Sequence, residues 1–386
     1  MANKYLSHRV ANLPASGIRK FFEIAATMKE VISLGIGEPD FNSPQPIIDA
    51  GIQALRDNKT RYTSNRGLLS LRKALSDHLE KLYSVSYDPQ EEVVMTVGGS
   101  EALMLACLAV INPGDEVLLP TPCFVSYQGV ISMSGGTPVE LVCSMENQFI
   151  PDMAELEKLI TDRTKAILIN FPGNPTGAVA DMETMIEIGR IAEKYDLLVI
   201  SDEIYDRLVY GVDHICFAAL PGMRERTILI GGFSKDYAMT GWRLGYACAP
   251  EGILAGLARA HQYIIMTAPT VTQYAALEAL RSCEEFVEKM RSEYDRRRRL
   301  IVEGLNYIGL PTYEPRGAFY ANPKVSVTGL NGDSFAEQLL QKKQVAVVPG
   351  FAFGPGGEGF VRCSYATAFD QIEEALDRID QFVKSL

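Results

Sequence analysis

A lysine stands just past an apolar run, Thr227-Ile228-Leu229-Ile230, that reads as a buried strand ending in the pair Gly231-Gly232. Sheets flanked by helices place ligands outside the carboxyl ends of their strands, and Lys235 falls at such an end. Ser234 and Arg243 flank it with a hydroxyl and a fixed cation, a combination suited to holding a phosphate beside an amine. Schiff-base chemistry on pyridoxal phosphate requires an amine next to a phosphate site. A serine–lysine pair by itself is also what an ordinary surface turn presents, so the remaining strand ends decide its meaning.

Those ends carry compatible groups. The run at residues 197–201 leads into Asp202-Glu203-Ile204-Tyr205, where a carboxylate is placed to pair with a protonated ring nitrogen or to cap a helix. Tyr205 follows closely enough to reach the same ligand. Another apolar run ends in Asn170-Phe171-Pro172-Gly173-Asn174-Pro175, a turn that brings the Asn174 amide to the same edge. Residues 93–97 run into Gly98-Gly99-Ser100-Glu101-Ala102 and a helical pattern; free N–H groups and the helix dipole make an anion site there, and Ser100 is alternatively a plain N-cap. Phe124, in Pro122-Cys123-Phe124, offers a ring to stack on a flat cofactor. Arg362 sits within an apolar strand pattern, where it binds either a carboxylate in a bidentate fork or an internal acid. The Gly35-Ile36-Gly37-Glu38 segment can pass its backbone close to a ligand.

The elements that must position these groups alternate. Strand-like runs at residues 93–97, 116–119, 138–141, 166–170, 197–201, 227–230 and 244–249 are separated by helical patterns at 101–110, 153–160 and 182–195. Consecutive apolar positions mark strands buried on both faces, and the alternation predicts an α/β fold with a mostly parallel central sheet and helices on both faces. Beyond residue 280 the pattern changes to a long charged helix at 283–305, a helix at 334–343, strands at 345–348 and 360–364, and a closing helix at 370–384. That is a smaller α+β domain. The expected division is therefore 1–45 as an N-terminal arm and part of the small domain, 46–283 as the large domain, and 284–386 as the small C-terminal domain. The run Arg296-Arg297-Arg298-Arg299 reads as a solvated helix face or a partner contact.

Composition excludes several classes. The 386 residues carry 37 basic and 48 acidic side chains, a formal charge of −11 without a basic block, which argues against nucleic acid or an anionic membrane as partner. Seven scattered cysteines and four histidines show no metal-ligand spacing, so no metal is expected and the thiols read as buried or idle in a reducing compartment. Residues 1–20 lack an apolar signal core, and no apolar run reaches membrane-spanning length. A cytoplasmic location is expected.

With its motifs assembled, the chain resembles the fold type I pyridoxal-phosphate enzymes, specifically the class I/II aminotransferases of the aspartate/aromatic group. SLGIGEPDF, RYTSNRGLLSLR, VGGSEAL, NPTG, SDEIYD, FSKDYAMTGWRLGY, GAFY and FVRCSYA occur in family order from Ser33 onward. The resemblance implies pyridoxal 5'-phosphate as cofactor, with Lys235 bonding it and then acting as general base and acid. It implies that Asp202 pairs with the ring nitrogen, that Tyr205 and Asn174 bind the ring hydroxyl oxygen, and that Phe124 stacks on the ring. The phosphate falls to Ser234, Arg243, Ser100 and the backbone N–H groups of Gly99, Ser100, Glu101 and Ala102. Arg362 takes the substrate α-carboxylate, assisted by Gly37 and Asn174. Tyr62 matches a tyrosine that reaches the neighbouring subunit's phosphate, which implies a homodimer with shared sites.

The implied reaction moves an amino group from an L-amino acid to a 2-oxo acid by a ping-pong mechanism, with aromatic or broad donors favoured and 2-oxoglutarate as acceptor. Two alternatives share the fold. A carbon–sulfur β-lyase keeps most of these residues and needs no acceptor. An aminotransferase-like ligand-sensing protein carries an added DNA-binding domain, for which only some 32 residues precede SLGIGEPDF.

Overall fold

The computed structural model describes residues 5–11, 13, 28 and 30–386; the rest of the expected N-terminal arm lies outside the described residues. Twelve strands occur among the described residues. They are β1 Ile32–Ser33, β2 Val93–Thr96, β3 Glu116–Thr121, β4 Thr137–Val142, β5 Thr164–Asn170 and β6 Leu198–Asp202. The others are β7 Thr227–Gly232, β8 Gly245–Cys248, β9 Tyr320–Ala321, β10 Val345–Ala346, β11 Val348–Pro349 and β12 Val361–Ser364. The longer helices up to the end of the sheet are α1 Gln45–Arg56, α2 Leu69–Tyr83, α3 Gly98–Val110, α4 Ser126–Met133, α5 Met153–Lys158, α6 Met182–Lys194, α7 Glu251–Ile264 and α8 Thr270–Ser282. After it come α9 Glu284–Ile308, α10 Gly332–Lys343 and α11 Phe369–Val383.

Seven strands build the central sheet in the order β2-β8-β7-β6-β5-β3-β4. The pairs from β7 through β4 are parallel, whereas β8 runs antiparallel to both β2 and β7. Alternate residues of one strand enter different cores. Ala166 and Leu168 of β5 pack beneath α3 and α7, while Ile167 and Ile169 pack beneath α6 on the opposite face. Consecutive apolar runs are thus what a doubly covered sheet demands. Each fully buried leucine or isoleucine in it contributes roughly 1.5–3 kcal/mol. The helices follow the same economy. In α6, Met185, Ile188, Gly189, Ile191 and Ala192 form the buried face, and the Asp181 carboxylate caps the start by accepting from the Thr184 N–H at 2.9 Å.

The parallel register aligns the site. Asn170 at the end of β5 lies level with Asp202 at the end of β6, and Asp202 with Ile230 of β7. Because β8 is reversed, it begins at this same edge, with Gly245 beside both Gly232 and Thr96.

A further core joins β1, β9 and α9 to α11, with Phe335 and Phe382 edge to face at 5.2 Å. Residues 345–348, expected as one strand, divide between two partners. β10 pairs parallel with β1, and β11 pairs antiparallel with β12, so the backbone changes direction of pairing at Val347. The arginine run is not simply a solvated face. Arg297 and Arg298 are buried, bound to Asp40 and Glu293 and to Asp295 and Glu314, while Arg296 and Arg299 are more exposed and pair with Glu293 and Asp295. Helical spacing turns only the middle two inward.

Glu203, next to Asp202, points to the other side of the β6 end. Its carboxylate accepts from the Ser201 hydroxyl at 2.8 Å and the Phe217 N–H at 3.0 Å, and it lies 2.7 Å from His214 Nε2. Burial alone would lower the His214 pKa; the Glu203 charge and hydrogen bond overcome it, and the net direction is upward. A folded pKa above the unfolded value contributes stability that is full below about 6.5 and is lost as pH rises through the folded value. We predict that the thermal-midpoint gap between the parent and Glu203→Gln is wide at pH 6 and narrows by pH 9. A gap that is constant or grows with pH contradicts the assignment.

Candidate active site

The loops that follow β5, β6 and β7, together with the start of α3, meet strand β12 and the segment after β1 around one cavity of about 610 Å³. Lys235, Asp202, Tyr205, Asn174, Phe124, Ser234, Arg243, Gly99, Ser100, Gly37 and Arg362 all line it. Of the sequence-predicted residues, Glu101, Ala102 and Tyr62 do not. Ala102 is buried in α3, and Tyr62 is 80% exposed.

The Lys235 amine donates to the Gly37 carbonyl at 2.6 Å and lies over the rings of Tyr205 and Phe319. The side chain is half-buried because the cavity reaches it, while protein closes around the amine elsewhere. Desolvation and then the Arg362 cation drive its pKa down to about 8, against the opposing charge of Glu38. The amine is therefore neutral in a sizeable fraction near neutral to mildly basic pH, as a proton acceptor must be.

Asp202 is buried, with Oδ2 accepting from the Tyr127 hydroxyl at 2.8 Å and Oδ1 from the Ile204 N–H at 3.2 Å. Burial pushes its carboxyl up to about 6, and these two hydrogen bonds hold it from rising further. A cation brought against it would restore full ionisation. Beneath it, Asn170 ties the loops together. Its Nδ2 donates to the Asp202 carbonyl at 2.8 Å, and its Oδ1 accepts from the Asn174 N–H at 3.0 Å.

Arg362 is buried and has no carboxylate partner among the described residues. Nη1 donates to Asn174 Oδ1 at 3.0 Å, Nη2 donates to the Gly35 carbonyl at 2.7 Å, and Nε has no partner. Its guanidinium lies 4.4 Å from the Tyr320 ring centroid and 5.0 Å from that of Phe353. The internal salt bridge left open by the sequence is absent, and a buried cation facing a cavity suits an anionic ligand.

At the opposite end, α3 starts earlier than expected, at Gly98 rather than at residue 101. Ser100 therefore lies in the first turn and faces the cavity instead of capping the helix. The Glu101 carboxylate takes over that work. Oε2 accepts from the Val97 N–H at 2.5 Å and Oε1 lies 2.8 Å from buried His261 Nδ1 on α7. Gly98 adopts φ +73°, and a Cβ there would stand 2.7 Å from Arg243 Nη2, so only glycine lets the guanidinium approach. Gly245 serves similarly, since its Cβ would meet the Gly99 nitrogen at 2.6 Å.

Tyr127, Asn170 and Tyr320 escaped the sequence reading as site residues. Tyr127 sits three residues after Phe124 and packs on it edge to face at 5.6 Å, a helical spacing that carries the signal. Tyr320 lay within the GAFY motif with no role attached.

Comparison with known proteins places this arrangement. The model of the family "Aminotransferase class I and II" matches residues 29–379. The chain belongs to that family. Two curated relatives are an aspartate aminotransferase of Pyrococcus abyssi, 47% identical, and aromatic-amino-acid aminotransferase 2 of Thermococcus litoralis, 44% identical, each alignment covering 98% of both chains. Among solved structures, the aromatic aminotransferase of Pyrococcus horikoshii OT3 superposes with a TM-score of 0.91 at 44% identity, over 95% of this chain and 99% of the other. The aminotransferase is accordingly a pyridoxal-phosphate-dependent enzyme of fold type I that transfers amino groups between amino and 2-oxo acids. Among its described residues no helix is long and apolar enough to cross a membrane, and its seven cysteines are buried and unpaired.

In the cofactor-free aminotransferase, the extent of Lys235 acylation by an amine-directed reagent, followed by peptide mass mapping, should rise to half its maximum near pH 8. Unperturbed lysines titrate near ~10.4. A Lys235 profile indistinguishable from theirs would falsify the desolvated environment.

Proposed function

We propose that this enzyme transfers the amino group of aromatic and other apolar-side-chain L-amino acids to 2-oxoglutarate, with pyridoxal 5'-phosphate held in the cavity between β5–β8 and β12. The observation that carries the reading is a single cavity lined by Lys235, Asp202 and Arg362, an amine just past β7, a buried acid at the end of β6 and a buried cation within β12.

The residues present fit the cofactor. Asp202 lacks a cationic partner and is charged only reluctantly, as suits an acid awaiting a protonated ring nitrogen. The missing side chain of Gly98 lets Arg243 close on the start of α3, as a phosphate cradle requires. Ser234, Arg243, Ser100 and the backbone N–H groups of Gly99 and Ser100 would hold the phosphate, whereas Glu101 and Ala102 lie off the cavity, Ala102 buried within α3; Phe124 would stack on the ring, and Asn174 and Tyr205 would bind its hydroxyl oxygen. When bound, pyridoxal phosphate supplies a reactive carbonyl carbon and a ring that accepts the electron pair of the substrate Cα.

The chain's own groups do the rest. Arg362 fixes the α-carboxylate in a bidentate fork, with Asn174 and the Gly37 backbone beside it, and this orients the Cα–H bond toward Lys235. Lys235 Nζ takes that proton as general base and returns it as general acid, a role its lowered pKa permits near neutral pH. Asp202 keeps the ring nitrogen protonated.

Side-chain preference follows from the wall. Ile36, Leu103, Phe124, Tyr127, Ile204 and Tyr320 line the cavity, and its cations are Lys235, Arg243 and Arg362, each already assigned. No further cation among the lining residues awaits a side-chain carboxylate, which favours aromatic donors.

We further assign residues 46–283 to the large domain, 284–386 to the small one, and the described part of residues 1–45 to the arm and small domain; the β1–β10 pairing supports that last link. A homodimer is supported by exposed apolar groups near the site. Tyr62 stands on a segment tied to residues 266–267 by Asn65 Nδ2 donating to the Met266 carbonyl at 2.9 Å, and Tyr263, Ile264, Ile265 and Met266 are all exposed. A second copy covering that patch is the assembly the family resemblance implies, in which Tyr62 would serve the neighbouring subunit's phosphate.

The deciding experiment adds amino acids one at a time to the loaded enzyme and follows its visible absorbance. Phenylalanine or tyrosine should bleach the band, 2-oxoglutarate should restore it, and cystathionine should yield no pyruvate without an acceptor. Lys235→Ala should lose on the order of 10²–10⁴ in rate and no longer retain the cofactor covalently after borohydride reduction. Bleaching by aspartate alone would reject the aromatic preference, and covalent retention in Lys235→Ala would reject the central assignment.

A further inference from the structure

Tyr320 belongs to the GAFY motif and figures above only as part of the cavity wall, yet its hydroxyl occupies the junction between the amine, the acid-anchoring arginine and Tyr205. It lies 2.8 Å from the Tyr205 hydroxyl. It also abuts Gly37, where a Cβ would stand 2.7 Å from the Tyr320 oxygen. The carbonyl of that glycine accepts from Lys235. The Tyr320 ring lies beneath the Arg362 guanidinium, 4.4 Å from its centroid. Both residues are fixed by one small sheet, in which Tyr320 of β9 is paired with Ser364 of β12, two positions along from Arg362. Tyr205, by contrast, follows β6 of the central sheet. The hydroxyl pair is therefore a polar bridge between the strands that hold the substrate's carboxylate anchor and those that hold the cofactor.

We propose that Tyr320 is a positioning residue that sets the direction of the Tyr205 proton: its hydroxyl donates to Tyr205, leaving the Tyr205 O–H directed at the cofactor. The inference rests on the reading of Tyr205 as a ligand of the cofactor's ring oxygen. Two phenols in contact can share only one proton along the line between them, so one must be donor and the other acceptor. Between the two phenols alone, either arrangement satisfies the pair. An anionic oxygen offered to Tyr205 breaks the symmetry, because Tyr205 then gives its proton to the stronger acceptor. The Arg362 guanidinium stands 4.4 Å from the Tyr320 ring, closer than the Lys235 amine at 5.7 Å from that of Tyr205, which makes Tyr320 the better donor of the two. A hydroxyl that itself accepts a hydrogen bond is polarised into a stronger donor, so the Tyr320 bond strengthens the one Tyr205 makes.

The test compares the visible absorbance of the loaded parent, Tyr320→Phe, Tyr205→Phe and the double variant as pH is varied. Phenylalanine at 320 keeps the ring under Arg362 and removes only the hydroxyl. With a weaker donor at Tyr205, the ionised ring oxygen is less stabilised, and the protonation midpoint of the bound chromophore should rise by about half to one pH unit in Tyr320→Phe. In the Tyr205→Phe background the same change should add nothing, because Tyr320 acts through Tyr205. A role confined to packing would move the thermal midpoint and leave the chromophore's midpoint in place. An unchanged midpoint in Tyr320→Phe, or an equal shift in both backgrounds, overturns the proposal. If the parent itself binds pyridoxal phosphate without a titrating visible band, the function reading fails and carries this inference with it; a parent that titrates beside an unmoved variant rejects Tyr320 alone.

Discussion

The structure turns on a buried arginine that has no carboxylate among the described residues to neutralise it. Arg362 is held by a side-chain carbonyl from Asn174 and a main-chain carbonyl from Gly35, and it is flanked by the rings of Tyr320 and Phe353. A desolvated cation satisfied only by dipoles is costly unless an anion completes it. Its acceptors lie far apart in sequence, so this one charge requires the N-terminal segment, the loop after β5 and strand β12 to be placed together. The same charge depresses the pKa of Lys235. The binding of an acid and the readiness of the base are thus two aspects of one electrostatic arrangement.

The support for that arrangement is mostly outside the cavity. Arg297 Nη1 donates to both oxygens of Asp40 at 2.8 and 2.9 Å, clamping the segment that carries Gly35 and Gly37 onto α9. Glu101 and His261 brace the start of α3 from behind. Asn170 joins two loops at the level where β5 and β6 end. Each brace acts on backbone position, which is why the groups facing the cavity can remain incompletely satisfied.

Much of this was legible in the sequence. Apolar strands with lysine, aspartate, asparagine or glycine just past their ends announced a sheet edge loaded with chemistry, and their alternation with helical patterns gave the layered fold. What stayed hidden depends on partners distant in the chain. Ser100 as a cavity residue and Ser100 as a cap are separated by the Glu101 carboxylate, which reaches back to Val97 and is held there by His261 on α7, far away in the chain. The split of residues 345–349 between two sheets is set by β1 and β12, not by their own apolar pattern. Tyr320 carried no role in the sequence, because its place in the site comes from an oxygen that meets Tyr205 across separate strands. The arginine run read as a surface feature because composition does not say which two of four consecutive side chains a helix turns inward.

The reversed strand β8 has a consequence for how this molecule can change. The reactive groups sit on the floor, on loops that leave rigid parallel strands in a fixed register. Two of the walls that meet a substrate side chain come from elsewhere, Ile36 on the exposed segment after β1 and Leu103 on the first turns of α3. Because β8 enters the sheet from the reactive edge and closes it against β2, the floor is completed without help from those walls. Selectivity and reactivity are therefore mechanically separable. A lineage built on this scaffold is free to exchange one preferred amino acid for another by altering a few wall positions while the proton-handling apparatus beneath stays still.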